Sequence, residues 1–274
     1  MTTLDDALDR LDSWPVDNAA AAVIASDGRI LAAHGDIDRP YRLASVTKPL
    51  TAYAVLVAIE EGVFELNTPA GPEGSTVRHL LAHASGLDMT EDRVRATPGT
   101  RRIYSNRGFE VLADAVLEHS GIAFATYLAE AVLAPLGMES SRLEGSAAAD
   151  AVSTVADLSR FAAELQHPTL LAAETVAAAT KVAFPGLDGV LPGYGSQRPN
   201  DWGLGFELRD GKSPHWTSTA NSPATFGHFG QSGTFLWVDP RAGAACVALA
   251  DRDFGPWAIE AWPPLSDAVL AELR

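Results

Sequence analysis

Leu43-Ala44-Ser45-Val46-Thr47-Lys48-Pro49-Leu50 is the stretch on which the reading of this chain turns. The apolar run that follows, 50–59, reads as a helix that places Ser45 at or just before its first turn. Lys48 lies three residues on, and one helical turn brings its side chain back to the face of Ser45. A serine hydroxyl is a poor nucleophile until a base stands beside it, and a desolvated lysine held neutral is one group able to serve. Spacing alone is a weak signal, because Ser-x-x-Lys arises by composition roughly once in a chain of this size. The plainer alternative is an N-capping serine followed by a solvated lysine. Scarcity adds weight: lysine occurs only at Lys48, Lys181 and Lys212, and neither of the others has a serine three residues before it.

A chain of 274 residues, 47% hydrophobic and 20% charged, is able to bury a large core as one big domain or two intimate ones. Its net charge of -15 argues against nucleic acid and anionic membrane as partners, since both repel an acidic surface. The single cysteine, Cys246, lies within Ala-Ala-Cys-Val-Ala-Leu-Ala and reads as a small buried apolar residue, with no disulfide framework. Residues 1–11 carry neither a basic n-region nor an apolar h-region, and no run reaches transmembrane length, so the expected location is the cytoplasm.

Outward from Ser45 the pattern divides. On the N-terminal side, Leu4, Leu8, Leu11 and Trp14 repeat at helical spacing, and apolar runs at 19–25 and 30–33 flank Asp27-Gly28 as a hairpin. On the C-terminal side, helices are expected over 47–61, 76–84, 109–118, 124–133, 154–165 and 170–179, with a polar loop at 88–103. Beyond residue 183 the chain turns to glycine, proline and aromatics, then to short β-prone runs at 203–208, 224–228, 234–239 and 244–250, and closes on an amphipathic helix at 258–273. Strands at both ends around a helical middle predict an α+β fold, an α/β sandwich lobe plus an all-α lobe, in a single domain spanning 1–274. Both chain ends supply one antiparallel sheet, about 1–44 and 200–274; the inserted helical lobe spans about 45–182, and 183–199 is a loop. A site is expected in the cleft between the lobes.

Two further stretches carry chemistry. Tyr104-Ser105-Asn106 follows the polar loop and precedes a helix, where a tyrosine can relay a proton and an asparagine can hold a carbonyl or amide; equally, Asn106 is a good helix N-cap. Phe226-Gly227-His228-Phe229-Gly230-Gln231-Ser232-Gly233-Thr234 sets three glycines around a histidine in a β-prone run, a cost tolerated where a backbone or ligand approaches closely. There His228 is placed to donate to a substrate or to move a proton near neutral pH. Two competing motifs fail. Gly230-Gln231-Ser232-Gly233-Thr234 lacks the last glycine of a Gly-x-Ser-x-Gly elbow, and His79 and His83, at metal-ligand spacing, have Leu80 where a zinc hydrolase has glutamate.

Taken in order, Ser45-Val46-Thr47-Lys48, Tyr104-Ser105-Asn106 and His228-Phe229-Gly230 resemble the three motifs of the serine β-lactamase and penicillin-binding-protein superfamily. Tyr-x-Asn in second place resembles the class C β-lactamase and esterase branch. So do His79-Leu80-Leu81-Ala82-His83-Ala84-Ser85-Gly86-Leu87, Pro135-Leu136-Gly137-Met138 and Ser153-Thr154-Val155-Ala156-Asp157-Leu158, and the likeness runs from about residue 20 to about residue 250. The resemblance implies a β-lactamase/transpeptidase-like fold with no cofactor and no metal. It implies that Ser45 is the acylated nucleophile, Lys48 its activator, and Tyr104 a partner in the base role and the donor to the leaving group. Asn106, His228, Gly230 and Gln231 would bind substrate, with the N–H groups of Ser45 and Gln231 as oxyanion hole. The expected partner is a small ester, amide or β-lactam; the oligomeric state is left open.

Two departures shift the expected activity. Histidine replaces the lysine of the third motif, which weakens the fixed charge that grips the carboxylate of penicillins and D-Ala-D-Ala peptides. The chain is also short for the superfamily and shows no secretion signal. Both favour an esterase or amidase over a β-lactamase or D-amino-acid peptidase. An inert binding member is the reading from another class, and it has no need of a nucleophile beside its base.

Overall fold

The computed structural model describes residues 3–273; Met1, Thr2 and Arg274, the extreme ends of the single-domain reading, lie outside the described residues. Helix α1 (Leu4–Leu8) is started by Thr3, whose side chain accepts from the Asp6 N–H while the Asp6 carboxylate accepts from the Thr3 N–H. After a 3₁₀ turn come β1 (Ala19–Ala25) and β2 (Ile30–His34), an antiparallel pair turned at Gly28, and the short β3 (Tyr41–Arg42). The helical middle holds α2 (Thr47–Glu60), α3 (Val77–Leu81), α4 (Asn106–Ser120) and α5 (Phe124–Leu128), then β4 (Arg142–Leu143), β5 (Ala151–Ser153), α6 (Val155–Gln166) and α7 (Ala173–Ala179). The chain returns through β6 (Gly189–Leu191), β7 (Gly195–Gln197), β8 (Glu207–Leu208), β9 (Phe226–Gly230), β10 (Thr234–Asp239) and β11 (Ala244–Ala250) to α8 (Pro256–Glu272).

Both chain ends do build one antiparallel sheet, in the order β2-β1-β11-β10-β9-β8. Its strands alternate between two apolar cores, because successive side chains point to opposite faces. Ala21, Val23, Trp237, Cys246 and Ala248 pack with Leu8, Trp262, Leu265 and Val269 of the terminal helices. Ala20, Ala22, Ile24, Leu236, Val247 and Leu249 share the other core with Leu158, Phe161 and Leu165 of α6. Every residue of β10 and β11 is buried, and a strand covered on both faces reads as an unbroken apolar run. Cys246 is a buried free thiol, as its sequence context implied. No helix among the described residues is long and apolar enough to cross a membrane.

At the centre of the second core lies α2, buried on every face from Thr47 to Ala58. The helical middle therefore divides: α2 to α5 gather beside the sheet, while α6 packs directly on it, since that face must be covered. Local readings give way in four places. The helix expected over 76–84 ends at Leu81, with His83 in a left-handed conformation at φ 53°. The one expected over 170–179 begins at Ala173. The run 203–208 pairs only at its last two residues, and the loop 183–199 contains the β6–β7 hairpin. A second sheet, β3-β5-β4, has strands of two and three residues, too short to leave a periodic signal.

Gly205 shows how closely α2 is seated. Its φ is +89°, its N–H donates to Leu81 O, and a Cβ there would stand 2.0 Å from that of Ala52 in α2. Gly205→Ala is expected to cost about 2–4 kcal/mol of stability by combining left-handed strain with overpacking. A urea midpoint unchanged from wild type would contradict this seating.

Candidate active site

Ser45 sits in a 3₁₀ turn, Ala44–Val46, that runs directly into α2. The preceding residue, Ala44, has φ 44°, a left-handed conformation that a residue with a Cβ adopts only when its surroundings hold it there. The surroundings are the β9–β10 turn. Thr234 Oγ1 donates to Leu43 O at 2.8 Å and Ser232 Oγ to Arg42 O at 2.6 Å. Gly230 lies so near that a Cβ would be 2.2 Å from Leu43 O. The third motif is thereby fastened to the residues just before the first.

Lys48, one turn into the helix, is fully buried. Its Nζ lies 3.2 Å from Ser45 Oγ, 2.7 Å from Asn106 Oδ1 and 3.0 Å from Ala148 O, and among the described residues no carboxylate forms an ion pair with it. Burial therefore drives its pKa well below the usual lysine value. The faces of Tyr104 and Phe109 close over it, the nearer at 4.5 Å from the ring centre. Asn106 is free for this because Ser105, not Asn106, caps α4: Ser105 Oγ accepts from the Gly108 N–H at 2.9 Å.

Tyr104 donates its hydroxyl to Ser45 Oγ at 2.7 Å, so Ser45 lies between a phenol and an amine. Burial raises the Tyr104 pKa, outweighing the hydrogen bond to Ser45, and the group stays a phenol at neutral pH. The phenol expected to relay a proton therefore holds its own proton tightly before reaction.

His228 is 2% exposed, and its Nδ1 stands 2.6 Å from Phe229 O, a partner that only accepts, so Nδ1 carries the ring proton. Burial and the neighbouring Lys48 push its pKa down to about 3. Desolvation thus works against the expectation that His228 moves a proton near neutral pH. The remaining nitrogen, Nε2, is a buried lone pair with no hydrogen-bond partner among the described residues. With Ser45, Tyr104, Asn106 and Gln231 it lines a cavity of about 250 Å³, whose apolar walls include Leu191, Pro192, Trp202 and Phe229. Gly230 contributes through its backbone position, and Gln231 follows the end of β9 at the cavity rim.

Several residues at the site escaped the sequence reading. Trp202 packs against His83, Tyr104 and His228. His83 accepts the Ser105 N–H on Nδ1 and lies 4.6 Å from the Tyr104 ring centre; because α3 has ended, it shares no helical face with His79, which stacks on Phe184. Glu207 also reaches the cavity, although it is 1% exposed. It binds Lys212 Nζ at 3.0 Å, His215 Nε2 at 2.8 Å and the indole N–H of Trp216. Burial alone would raise its carboxyl, but Lys212 and His215 outweigh that and hold it below the carboxylate range. The only sequence signal was a single acid between Phe206 and Leu208.

The chain belongs to the Beta-lactamase family, which it matches over residues 16–269, a superfamily of serine hydrolases. It is 62% identical to a β-lactamase (Mb2281c) from Mycobacterium bovis whose crystal structure superposes with a TM-score of 0.96, covering 97% of this chain and 99% of that one. EstCE1, a hydrolase with promiscuous acyltransferase activity, shares the fold with a TM-score of 0.77 at 18% identity over 97% of each chain. A D-alanyl-D-alanine-carboxypeptidase/endopeptidase, AmpH of Escherichia coli K12, is 25% identical over 167 residues, 44% of this chain and 43% of that protein. The match thus spans less than half of that curated relative.

The Glu207 cluster generates a stability prediction. Glu207→Leu leaves the Lys212 ammonium buried and unpaired and is expected to cost about 3–5 kcal/mol. Adding Lys212→Met should recover much of the loss in chemical denaturation; a single variant as stable as wild type would show that the pair is not compensating charge.

Proposed function

We propose that the chain is a serine hydrolase that acts through an acyl-enzyme on esters or amides of small acyl groups. One observation carries the reading: Ser45 Oγ is within hydrogen-bond reach of both a buried lysine with no ion-pair partner among the described residues and a protonated tyrosine. With Lys48 neutral, the Ser45 hydroxyl donates to the Nζ lone pair while Tyr104 donates to Ser45 Oγ, so each proton has an acceptor. As Oγ bonds to the substrate carbonyl carbon, its proton passes to Lys48. The carbonyl π pair moves onto oxygen, where the N–H groups of Ser45 and Gln231 receive the charge. When the carbonyl re-forms, the bond to the leaving alcohol or amine breaks, and that group takes a proton through Tyr104, which is replenished from Lys48. Water then adds to the acyl-enzyme by the same path, releasing the acid and restoring Ser45.

The small apolar cavity supports a short acyl group. β-Lactam hydrolysis is the second reading, favoured by the 62% identity to the M. bovis β-lactamase. Against it stands His228, which presents a lone pair rather than a cation to a substrate carboxylate. The D-amino-acid peptidase alternative meets the same obstacle. Comparing nitrophenyl acetate with a chromogenic cephalosporin decides: a higher kcat/KM for the ester is expected, and the reverse order would favour the β-lactamase.

Nitrophenyl esters should acylate Ser45, seen as an acyl-sized mass increase that is absent in Ser45→Ala. Lys48→Arg keeps a charge that cannot be shed and should lower kcat/KM on the order of 10³-fold or more. Failure of any ester or amide to be turned over would favour a binding role instead.

The pH dependence follows from the sign of the Lys48 shift. The protonated amine cannot accept the serine proton, so kcat/KM should fall as pH drops through the lowered Lys48 pKa and level off above it. No inflection should come from His228 above about pH 4, because its pKa near 3 leaves it neutral there. A kcat/KM profile that titrates with an added His228 inflection between pH 5 and 8, lost in His228→Gln, would contradict that assignment.

A further inference from the structure

The cavity at Ser45 shares Met89, Tyr104 and Pro192 with a second, larger groove of about 660 Å³. This groove lies between the 88–103 loop and the β6–β7 hairpin, which are tied together by the Arg102 N–H to Asp188 O and a backbone bridge from Arg102 to Gly189. Its surface has two characters. Met89 and Val94 on the loop and Val190 on the hairpin, all lining the groove, expose 48%, 54% and 56% of their surfaces, unusual for large apolar side chains. Beside them are four arginines, and none of the lining residues is acidic.

The four arginines are not equivalent. Arg102 is buried and spends its guanidinium on the carbonyls of Ala82, Ala183, Phe184 and Asn200, which fixes the walls. Arg95 pairs with Asp88 at 3.1 Å. Arg93 and Arg101 are exposed, and among the described residues neither has a carboxylate partner. In a chain of net charge -15, two uncommitted guanidinium groups on a groove with no acidic lining residue give the approach to the nucleophile a cationic edge.

We propose that this groove binds the distal part of the substrate, and that the substrate is an ester or amide with an apolar segment ending in an anionic group held by Arg93 and Arg101. The inference rests on the hydrolase reading and narrows its substrate class. Guanidinium forks suit a carboxylate or a phosphate alike, and the apolar rim suits the methylene stretch between that group and the scissile bond. His228 repels an anion close to the reacting carbonyl, whereas the arginines attract one at the far end, so the charge belongs away from the reaction centre.

Two matched ester series test this. One holds nitrophenol constant and varies the acyl chain between a neutral end, a terminal carboxylate and a terminal phosphate; the other holds acetate constant and varies the alcohol in the same way. In at least one series a charged member should exceed its neutral counterpart in kcat/KM on the order of tenfold. That ratio should collapse in Arg93→Ala/Arg101→Ala, invert in Arg93→Glu/Arg101→Glu, and shrink with added salt. The larger of the carboxylate and phosphate ratios names the anion. Ratios near one in both series, or a preference that survives in the double variant, would overturn the proposal. Calorimetric titration of the same compounds into Ser45→Ala separates the two readings. Tighter binding of charged members that depends on the two arginines upholds the groove even without turnover; turnover of neutral esters without any charge preference upholds the hydrolase and removes the groove.

Discussion

A lysine buried without a counter-charge is the constraint around which this molecule is arranged. Lys48 has no exposed surface and, among the described residues, no carboxylate in hydrogen-bond contact, only three neutral oxygens, and they come from well-separated parts of the chain: Ser45, Asn106 and Ala148. The amine is satisfied only when the start of α2, the start of α4 and the turn between β4 and β5 meet. That turn is held to α2 by further bonds, from Thr51 Oγ1 to Ala147 O and from the Ala151 N–H to Thr47 Oγ1. Threonines on the first turns of a fully buried helix thus have partners for the same reason that the lysine does. Polar atoms in such a core must be paired, and the pairing fixes the site.

The sheet contributes by bringing a glycine to the nucleophile. Gly230 allows β9 to approach Leu43, while Ser232 and Thr234 donate to the carbonyls just before Ser45. The left-handed Ala44 lies at this junction, where hydrogen bonds on both sides make an otherwise unfavourable backbone conformation persist. One set of contacts therefore sets the direction of the Ser45 side chain and the distance of the third motif from it.

A second buried lysine shows the opposite treatment of charge. Lys212 lies against Glu207, and the carboxylate also receives Trp216 and His215, so here the burial of an ammonium is opposed by a counter-charge in direct contact. Lys48, hydrogen-bonded only to neutral oxygens among the described residues, is pushed by burial, against the weaker pull of Glu110, toward the neutral amine that a base must be. The two sites are linked through Trp202, which packs on His83, Tyr104 and His228 and has the Lys212 ammonium 5.6 Å from its ring centre. A paired charged cluster thus lies beside the reaction centre, with Trp202 packed against both.

Much of this was legible from residues alone. The three motifs, the apolar runs of β1, β10 and β11, and the amphipathic pattern of α6 are local signals whose period or order survives without coordinates, and together they determined the sheet, its terminal helices and the candidates Ser45, Lys48, Tyr104, Asn106 and His228. What only the tertiary structure decided were quantities that depend on neighbours distant in sequence. The protonation of Tyr104 and His228 follows from burial, the cap of α4 moved from Asn106 to Ser105, and His83 left its helix to lie under Tyr104. Glu207, Trp202 and the Arg93–Arg101 groove carry no motif at all. Sequence order records which residues are present and how they repeat, whereas a pKa, an orphan lone pair or an unpaired charge is a property of solvent exclusion, which exists only once the segments have packed.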